Sequence, residues 1–84
     1  MLKFKNLFES IEGRDNYKFC LKWNDSKGSH YVFGNWFEDH VLNVLNWAKK
    51  SDLEVVKFES GLTADNTQLQ ITIVMDSCGE DFIL

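Results

Sequence analysis

Alternation of apolar and polar residues predicts a strand in the first third of the chain. Between residues 17 and 23 every second side chain is large and apolar, and lysine or cysteine occupies the positions between them. This period of two, with its aromatic residues, is typical of a half-buried strand. Asn24, Asp25 and Gly28 follow and favour a tight turn, so residues 30–33 are predicted to return as the second strand of an antiparallel hairpin.

A helical spacing of apolar residues predicts a long helix over residues 36–50. Asn35 and Glu38 form a capping pair at its start, and Lys49 and Lys50 place positive charge at its carboxyl end. The face expected to be buried consists of Phe37, Val41, Val44, Leu45 and Ala48.

A second stripe lies beside that core face on the same predicted helix. It consists of Trp36, His40, Asn43 and Trp47 at similar spacing. Because the core face already suffices to cover a small sheet, we expect Trp36 and Trp47 to be exposed. Exposed tryptophan beside polar side chains is typical of the energetic centre of a protein interface, so Trp47→Ala is expected to weaken binding with little loss of stability.

Two further strands are predicted in the second half of the chain. Val55, Val56 and Phe58 indicate a third strand over residues 54–59, and residues 61–66 are predicted to form a loop. Strict alternation over residues 67–76 then predicts a fourth strand with one buried and one solvated face. The tail, residues 77–84, ends in three apolar residues that either pack as a further short strand or stay exposed.

The first residues of the chain predict a short helix. Phe4, Leu7, Phe8 and Ile11 share one helical face and Gly13 follows as a stop, although an edge strand over residues 2–5 is an alternative. Together the elements predict one α+β domain, residues 1–84, with the order (α)ββαββ. We expect an antiparallel four-stranded sheet with the long helix packed on one face, because this arrangement buries the apolar stripes most simply.

Size and charge narrow the classes of function. A chain of 84 residues has material for one hydrophobic core, and 44% apolar with 26% charged residues is a globular composition. A formal net charge of −4 argues against a protein whose main work is to neutralise phosphate. Residues 58–84 contain five acidic residues and neither lysine nor arginine, which predicts a negative surface that attracts basic partners.

Cysteine content and hydropathy bear on cofactors and location. Cys20 and Cys78 are the only cysteines and lack metal-binding spacing, so neither a zinc site nor a disulfide framework is expected. The glycines are scattered singly, and no cofactor is expected because no phosphate-binding loop is present. The chain contains no apolar run near the roughly 18 residues of a membrane span and no secretion signal, which favours a cytoplasmic protein without a membrane partner.

The sequence offers little for catalysis. His40 lies next to Asp39, but adjacent residues of a helix do not face each other. Cys20 has no visible base, and carboxylates near Cys78 would raise the pKa of its thiol and weaken it as a nucleophile. We therefore predict that the protein is not an enzyme.

These observations favour a small acidic module that binds another protein through aromatic anchors. Nucleases and other nucleic-acid-processing enzymes have basic clefts that an acidic protein can occupy. High lysine and asparagine content is typical of low-G+C bacterial or phage genomes, so the prediction extends to a phage or mobile-element inhibitor of the anti-CRISPR, antitoxin or immunity type. The residues predicted to bind the partner are Trp36, His40, Trp47, Glu59, Asp65, Glu80 and Asp81.

Two alternatives belong to other classes. A small RNA-binding domain would use the strand face that carries Lys18 and Lys22, with Tyr31 or Phe33 for base stacking. Direct binding of nucleic acid is nevertheless disfavoured, because few lysines are available. A structural homodimer would pair through the tail or through an exposed sheet edge.

Overall fold

Helices and strands follow one another in the predicted order. The computed structural model describes residues 2–77 and 81–82. These residues form the helices α1 (Phe4–Ser10) and α2 (Asp39–Lys50), a short 3-10 turn at Arg14–Asn16, and the strands β1 (Tyr17–Asp25), β2 (Gly28–Gly34), β3 (Glu54–Leu62) and β4 (Leu69–Asp76). The α+β class and the (α)ββαββ order are thereby confirmed.

The predicted first hairpin forms as expected. β1 and β2 pair antiparallel, with Trp23 opposite His30 and Asp25 opposite Gly28. The Asp25 carboxylate accepts a hydrogen bond of 2.8 Å from the Lys27 N–H, which closes the turn. Gly28 has a φ of 119°, a backbone conformation that L side chains rarely adopt.

The prediction of an entirely antiparallel sheet is wrong. The strand order is β2-β1-β4-β3, and the central strands β1 and β4 run parallel, with Tyr17 opposite Leu69. Successive elements run in opposite directions, so β3 is antiparallel to β1 and β4 is parallel to it. An entirely antiparallel sheet would therefore need β3, and not β4, beside β1. β3 is mostly exposed, whereas Ile71, Ile73 and Met75 of β4 are buried, so burial places β4 at the centre of a mixed sheet.

Helix α2 starts three residues later than predicted. The Glu38 carboxylate accepts a hydrogen bond from the Asn35 N–H, as in the predicted capping pair, but residues 35–38 form a turn ahead of the helix. The predicted buried face is confirmed for the four positions inside the helix. Phe37, the fifth, lies in the turn and is exposed, so its placement in the core is wrong.

The amino-terminal segment combines both interpretations of its sequence. Phe4 and Phe8 are buried on α1, which confirms the helix. Just before it, Lys3 makes an isolated antiparallel bridge with Glu54, and the Val55 N–H donates a 2.8 Å hydrogen bond to the Leu2 carbonyl. The start of β3 is therefore covered by the chain's own first residues.

Both helices pack on one face of the sheet. Phe19, Leu21 and Trp23 of β1 point to that side, whereas Lys18 and Lys22 point to the opposite side, called here the open face. Thirteen residues form the core: Phe4, Phe8, Phe19, Leu21, Trp23, Val41, Val44, Leu45, Ala48, Leu53, Ile71, Ile73 and Met75.

Candidate functional site

The predicted acidic partner residues lie far apart. Asp65 lies in the β3–β4 loop, Glu59 lies on β3, and Asp81 lies at the β1–β2 turn, where its carboxylate accepts hydrogen bonds from the Ser26 N–H and hydroxyl. That turn and that loop are at opposite ends of the sheet, because β1 and β4 are parallel. Glu80 lies outside the described residues. No common surface gathers the three described acids.

Asp65 organises the β3–β4 loop. Its carboxylate accepts hydrogen bonds from the Thr63 hydroxyl at 2.6 Å and from the Thr67 hydroxyl and N–H at 2.7 and 3.2 Å. These bonds, that of Thr63 above all, lower the pKa of Asp65 from its ordinary 3.8 to about 2. The carboxylate is thus engaged in holding the loop.

This bonding predicts an acid-dependent loss of stability. A carboxyl with a lowered pKa in the folded protein stabilises the fold above its ordinary value of 3.8, and this contribution is lost as the pH falls through about 2. We expect urea midpoints measured between pH 5 and pH 2 to fall less steeply for Asp65→Asn and for Thr63→Val than for the wild type. Identical slopes in all three proteins would contradict the bonding.

Trp47 and His40 are held by contacts within the domain. Trp47 is half-buried, and its ring centroid lies 5.5 Å from that of Trp23 and 5.2 Å from that of Phe82. His40 is exposed, and its Nε2–H donates a 2.8 Å hydrogen bond to the Phe33 carbonyl. A role of either residue in binding stays a prediction.

Trp36 lies in a different environment, at the junction of α1 and the turn before α2. Its Nε1–H donates a 2.6 Å hydrogen bond to Asp15 Oδ1, and its ring packs edge-on against Phe8 at 6.5 Å. The Phe37 ring stands nearly perpendicular to it at 6.0 Å and 85°, and Phe37 is 52% exposed. The half-buried Trp36 therefore supports an exposed phenylalanine.

Carboxylates lie beside Trp36 and follow Phe37 in the chain. Glu9 and Glu12 line a shallow cavity of about 410 Å³ together with Asp15 and Trp36. Glu38 and Asp39 follow Phe37 directly in the chain. We call this surface the acidic aromatic patch, and it consists of Trp36, Phe37, Glu9, Glu12, Asp15, Glu38 and Asp39.

Arg14 is the basic residue beside the patch, and it is engaged in structural contacts. Its guanidinium donates hydrogen bonds to the carbonyls of Ile11 at 3.2 Å and Phe8 at 3.4 Å, near the carboxyl end of α1. It also stacks over the rings of Phe8 at 5.0 Å and Trp36 at 5.9 Å. Arg14 thus helps to fix Trp36, and because it lines the same cavity its positive charge offsets one of the five carboxylates of the patch.

The open face carries a second group of exposed aromatic residues. Tyr31 is 70% exposed and lies opposite Lys22 in the register of β1 and β2. Phe33 is 42% exposed and lies opposite Cys20, and Lys18 is one pleat further along β1 on the same face. These are the residues of the RNA-binding alternative, and the fold brings them together.

Groups considered for catalysis occupy structural positions. Cys20 is buried, and burial raises the pKa of its thiol, an effect that Lys22 only partly offsets. His30 Nε2 donates to Asp25 Oδ1 at 2.8 Å within the hairpin, and Cys78 lies outside the described residues. Within residues 2–77 and 81–82, no group of three or more histidine, cysteine, aspartate or glutamate side chains is arranged to hold a metal ion.

No helix in the described part of the chain has the length and hydropathy needed to cross a membrane. Comparisons of the chain with protein-family models, with curated proteins and with solved structures found no match.

Proposed function

We propose that this protein is a non-enzymatic acidic module that binds a protein with a basic surface, and that the acidic aromatic patch makes the contact. The observation that carries the proposal is the position of Phe37. This large apolar side chain is 52% exposed and rests on Trp36, whose cavity is lined by Glu9, Glu12 and Asp15, and Glu38 and Asp39 follow it in the chain. An exposed aromatic anchor with a charged rim is the usual composition of an interface centre.

The patch is suited to binding because it is already ordered. Trp36 is held by Asp15 through its indole N–H and by Phe8 through its ring, so little side-chain entropy remains to be lost on association. The carboxylates around it create a negative potential that accelerates encounter with a basic partner. Their effect is expected to weaken with salt.

Basic clefts in nucleases and other nucleic-acid-processing enzymes are the partner surfaces that fit this chemistry. A protein of 84 residues that occupies such a cleft blocks access of the nucleic acid. The proposed role is therefore inhibition by occlusion in the cytoplasm, as in phage or mobile-element inhibitors of the anti-CRISPR, antitoxin or immunity type.

The experiment starts with affinity capture from a lysate of the host bacterium at low and high salt. We expect one stoichiometric basic protein that acts on nucleic acid and is released by salt.

With that protein in hand, Phe37→Ala should weaken binding by about 2 kcal/mol, or roughly 30-fold in Kd, because it removes the anchor. Titration calorimetry measures the Kd, and thermal unfolding should show a nearly unchanged Tm.

Charge variants separate this surface from the rest of the protein. Glu9→Lys/Glu12→Lys should slow association and reduce its salt dependence, whereas Lys18→Glu/Lys22→Glu on the open face should not weaken binding. Capture of the same protein with equal affinity by the Phe37→Ala variant would overturn the proposal, as would capture of no basic protein at either salt concentration.

A second candidate function is supported by the open face. Tyr31 and Phe33 are exposed beside Lys22 and Lys18, and aromatic side chains interleaved with lysines are used to stack single-stranded bases. Glu59 and Lys57 of β3 share this face and neutralise each other, so Lys18 and Lys22 remain, and two lysines are few for strong phosphate binding. RNA in the captured material that is lost with Lys18→Glu/Lys22→Glu would favour this candidate over the first.

A further inference from the structure

β3 is an edge strand with an unusual amount of exposed apolar surface. Val56 is 68% exposed, Phe58 46% and Leu62 59%. The chain's own first residues cover the start of β3, through the bridge between Lys3 and Glu54. Beyond Val55, the described residues add no strand to its outer side, and such an edge is a template for pairing with another strand.

Charges on this edge are arranged symmetrically about Phe58. Lys57 and Glu59 flank it and both point to the open face, where Lys57 Nζ lies 2.8 Å from Glu59 Oε1. A sequence of the form base, aromatic, acid is complementary to itself when read in the opposite direction. The other edge strand, β2, contains no lysine, arginine, aspartate or glutamate and lacks this property.

We propose that β3 pairs antiparallel with β3 of a second copy of this chain, around a two-fold axis at Phe58. In this register Lys57 of each copy lies opposite Glu59 of the other, and the two Phe58 side chains meet on the helix side of the sheet. Paired charges of opposite sign and paired aromatic residues both stabilise antiparallel strands.

The charges also select against the neighbouring registers. In an antiparallel pair, residues directly opposite each other point to the same face of the sheet. A symmetric pair of β3 strands therefore has one residue on its two-fold axis, and its register can change only by placing a different residue there. An axis at residue 57 puts lysine opposite lysine, and an axis at residue 59 puts glutamate opposite glutamate. Only the axis at residue 58 avoids like charges among these three.

The resulting dimer has a defined architecture. The axis is perpendicular to the sheet, so the two sheets join into one of eight strands with the helices of both copies on the same side. The residues that cover Glu54 and the β-bulge at Val56 limit the regular new pairing to about residues 57–59 of each copy. The acidic aromatic patch follows β2, at the opposite edge of each sheet, and it stays accessible.

Analytical ultracentrifugation over a range of concentrations tests the proposal. We expect a concentration-dependent dimer for the wild type. Lys57→Glu and Glu59→Lys should each weaken self-association by at least about tenfold, because each puts like charges opposite one another twice. An equal mixture of the two variants should form a heterodimer as tight as the wild-type dimer, since every pair is then of opposite sign.

Controls make the outcome decisive. Both residues are exposed, and circular dichroism should show that both variants fold. Lys5→Glu, at an exposed position on α1, changes net charge as Lys57→Glu does and should leave the dimer unchanged. A wild type that stays monomeric at all concentrations, single variants that associate as the wild type does, or a mixture that fails to associate would each overturn the proposal.

Discussion

Phe8→Ala is expected to lower the free energy of unfolding by about 3–5 kcal/mol, the range for removing a buried aromatic side chain. Phe8 is 2% exposed, and its ring contacts those of Phe4 at 5.8 Å and Phe19 at 5.6 Å. Lys49 Nζ of α2 lies 4.7 Å from the ring centroid. The ring therefore joins both helices to the sheet, and a cavity there has no simple way to collapse.

Chemical denaturation followed by circular dichroism measures this loss. Phe33→Ala is the matched control, because it removes the same side chain from the open face, where it is 42% exposed. We expect its effect to stay below about 1 kcal/mol. Comparable losses for the two variants would contradict the assignment of Phe8 to the centre of the core.

Trp47→Ala has the second largest expected effect, a loss of about 2–3 kcal/mol in the free energy of unfolding. Its ring packs against Trp23 and Phe82, which also contact each other, so truncation removes contacts with the core and with the carboxyl-terminal segment. These contacts favour a structural role for Trp47, whereas the expectation from sequence is that Trp47→Ala impairs binding and leaves the fold intact.

Two measurements distinguish these expectations. Urea denaturation gives the stability change, with Asn46→Ala, an exposed neighbour on α2, as the control that should stay near the wild type. Binding to the captured partner, measured well below the transition, should be unchanged by Trp47→Ala and reduced by Phe37→Ala. Intact stability together with weakened binding would instead make Trp47 a contact residue.

Periodicity predicted the elements of this fold well because local burial decides them. Alternation in β1 and β4 and the apolar face of α2 each correspond to one buried side, so each is visible in a short window of sequence. Strand order is different, since placing either β3 or β4 beside β1 buries a similar set of apolar stripes. The strand order depends on how completely each strand is buried. In the sequence, the charged residues Lys57 and Glu59 were the available signal that β3 is the more exposed strand.

The candidate site was less accessible to sequence reasoning. A helix starting at residue 36 turns Phe37 inward, whereas the observed start at Asp39 leaves it in the preceding turn with its ring exposed. The acids at residues 9–15 lie beside Trp36 only because Phe8 and Trp36 pack together across the fold. No short-range pattern reports a contact of that kind, which depends on how the two helices meet.

The parallel pairing of β1 with β4 has a consequence during synthesis. β1 obtains its second neighbour only after β2, α2 and β3 have all been made, so the nascent chain carries Phe19 and Leu21 without the strand that completes their cover. The first hairpin alone is too small to be stable in water. Folding of this sheet therefore waits until β4 has been synthesised, and until then the apolar side chains of β1 lack their full cover.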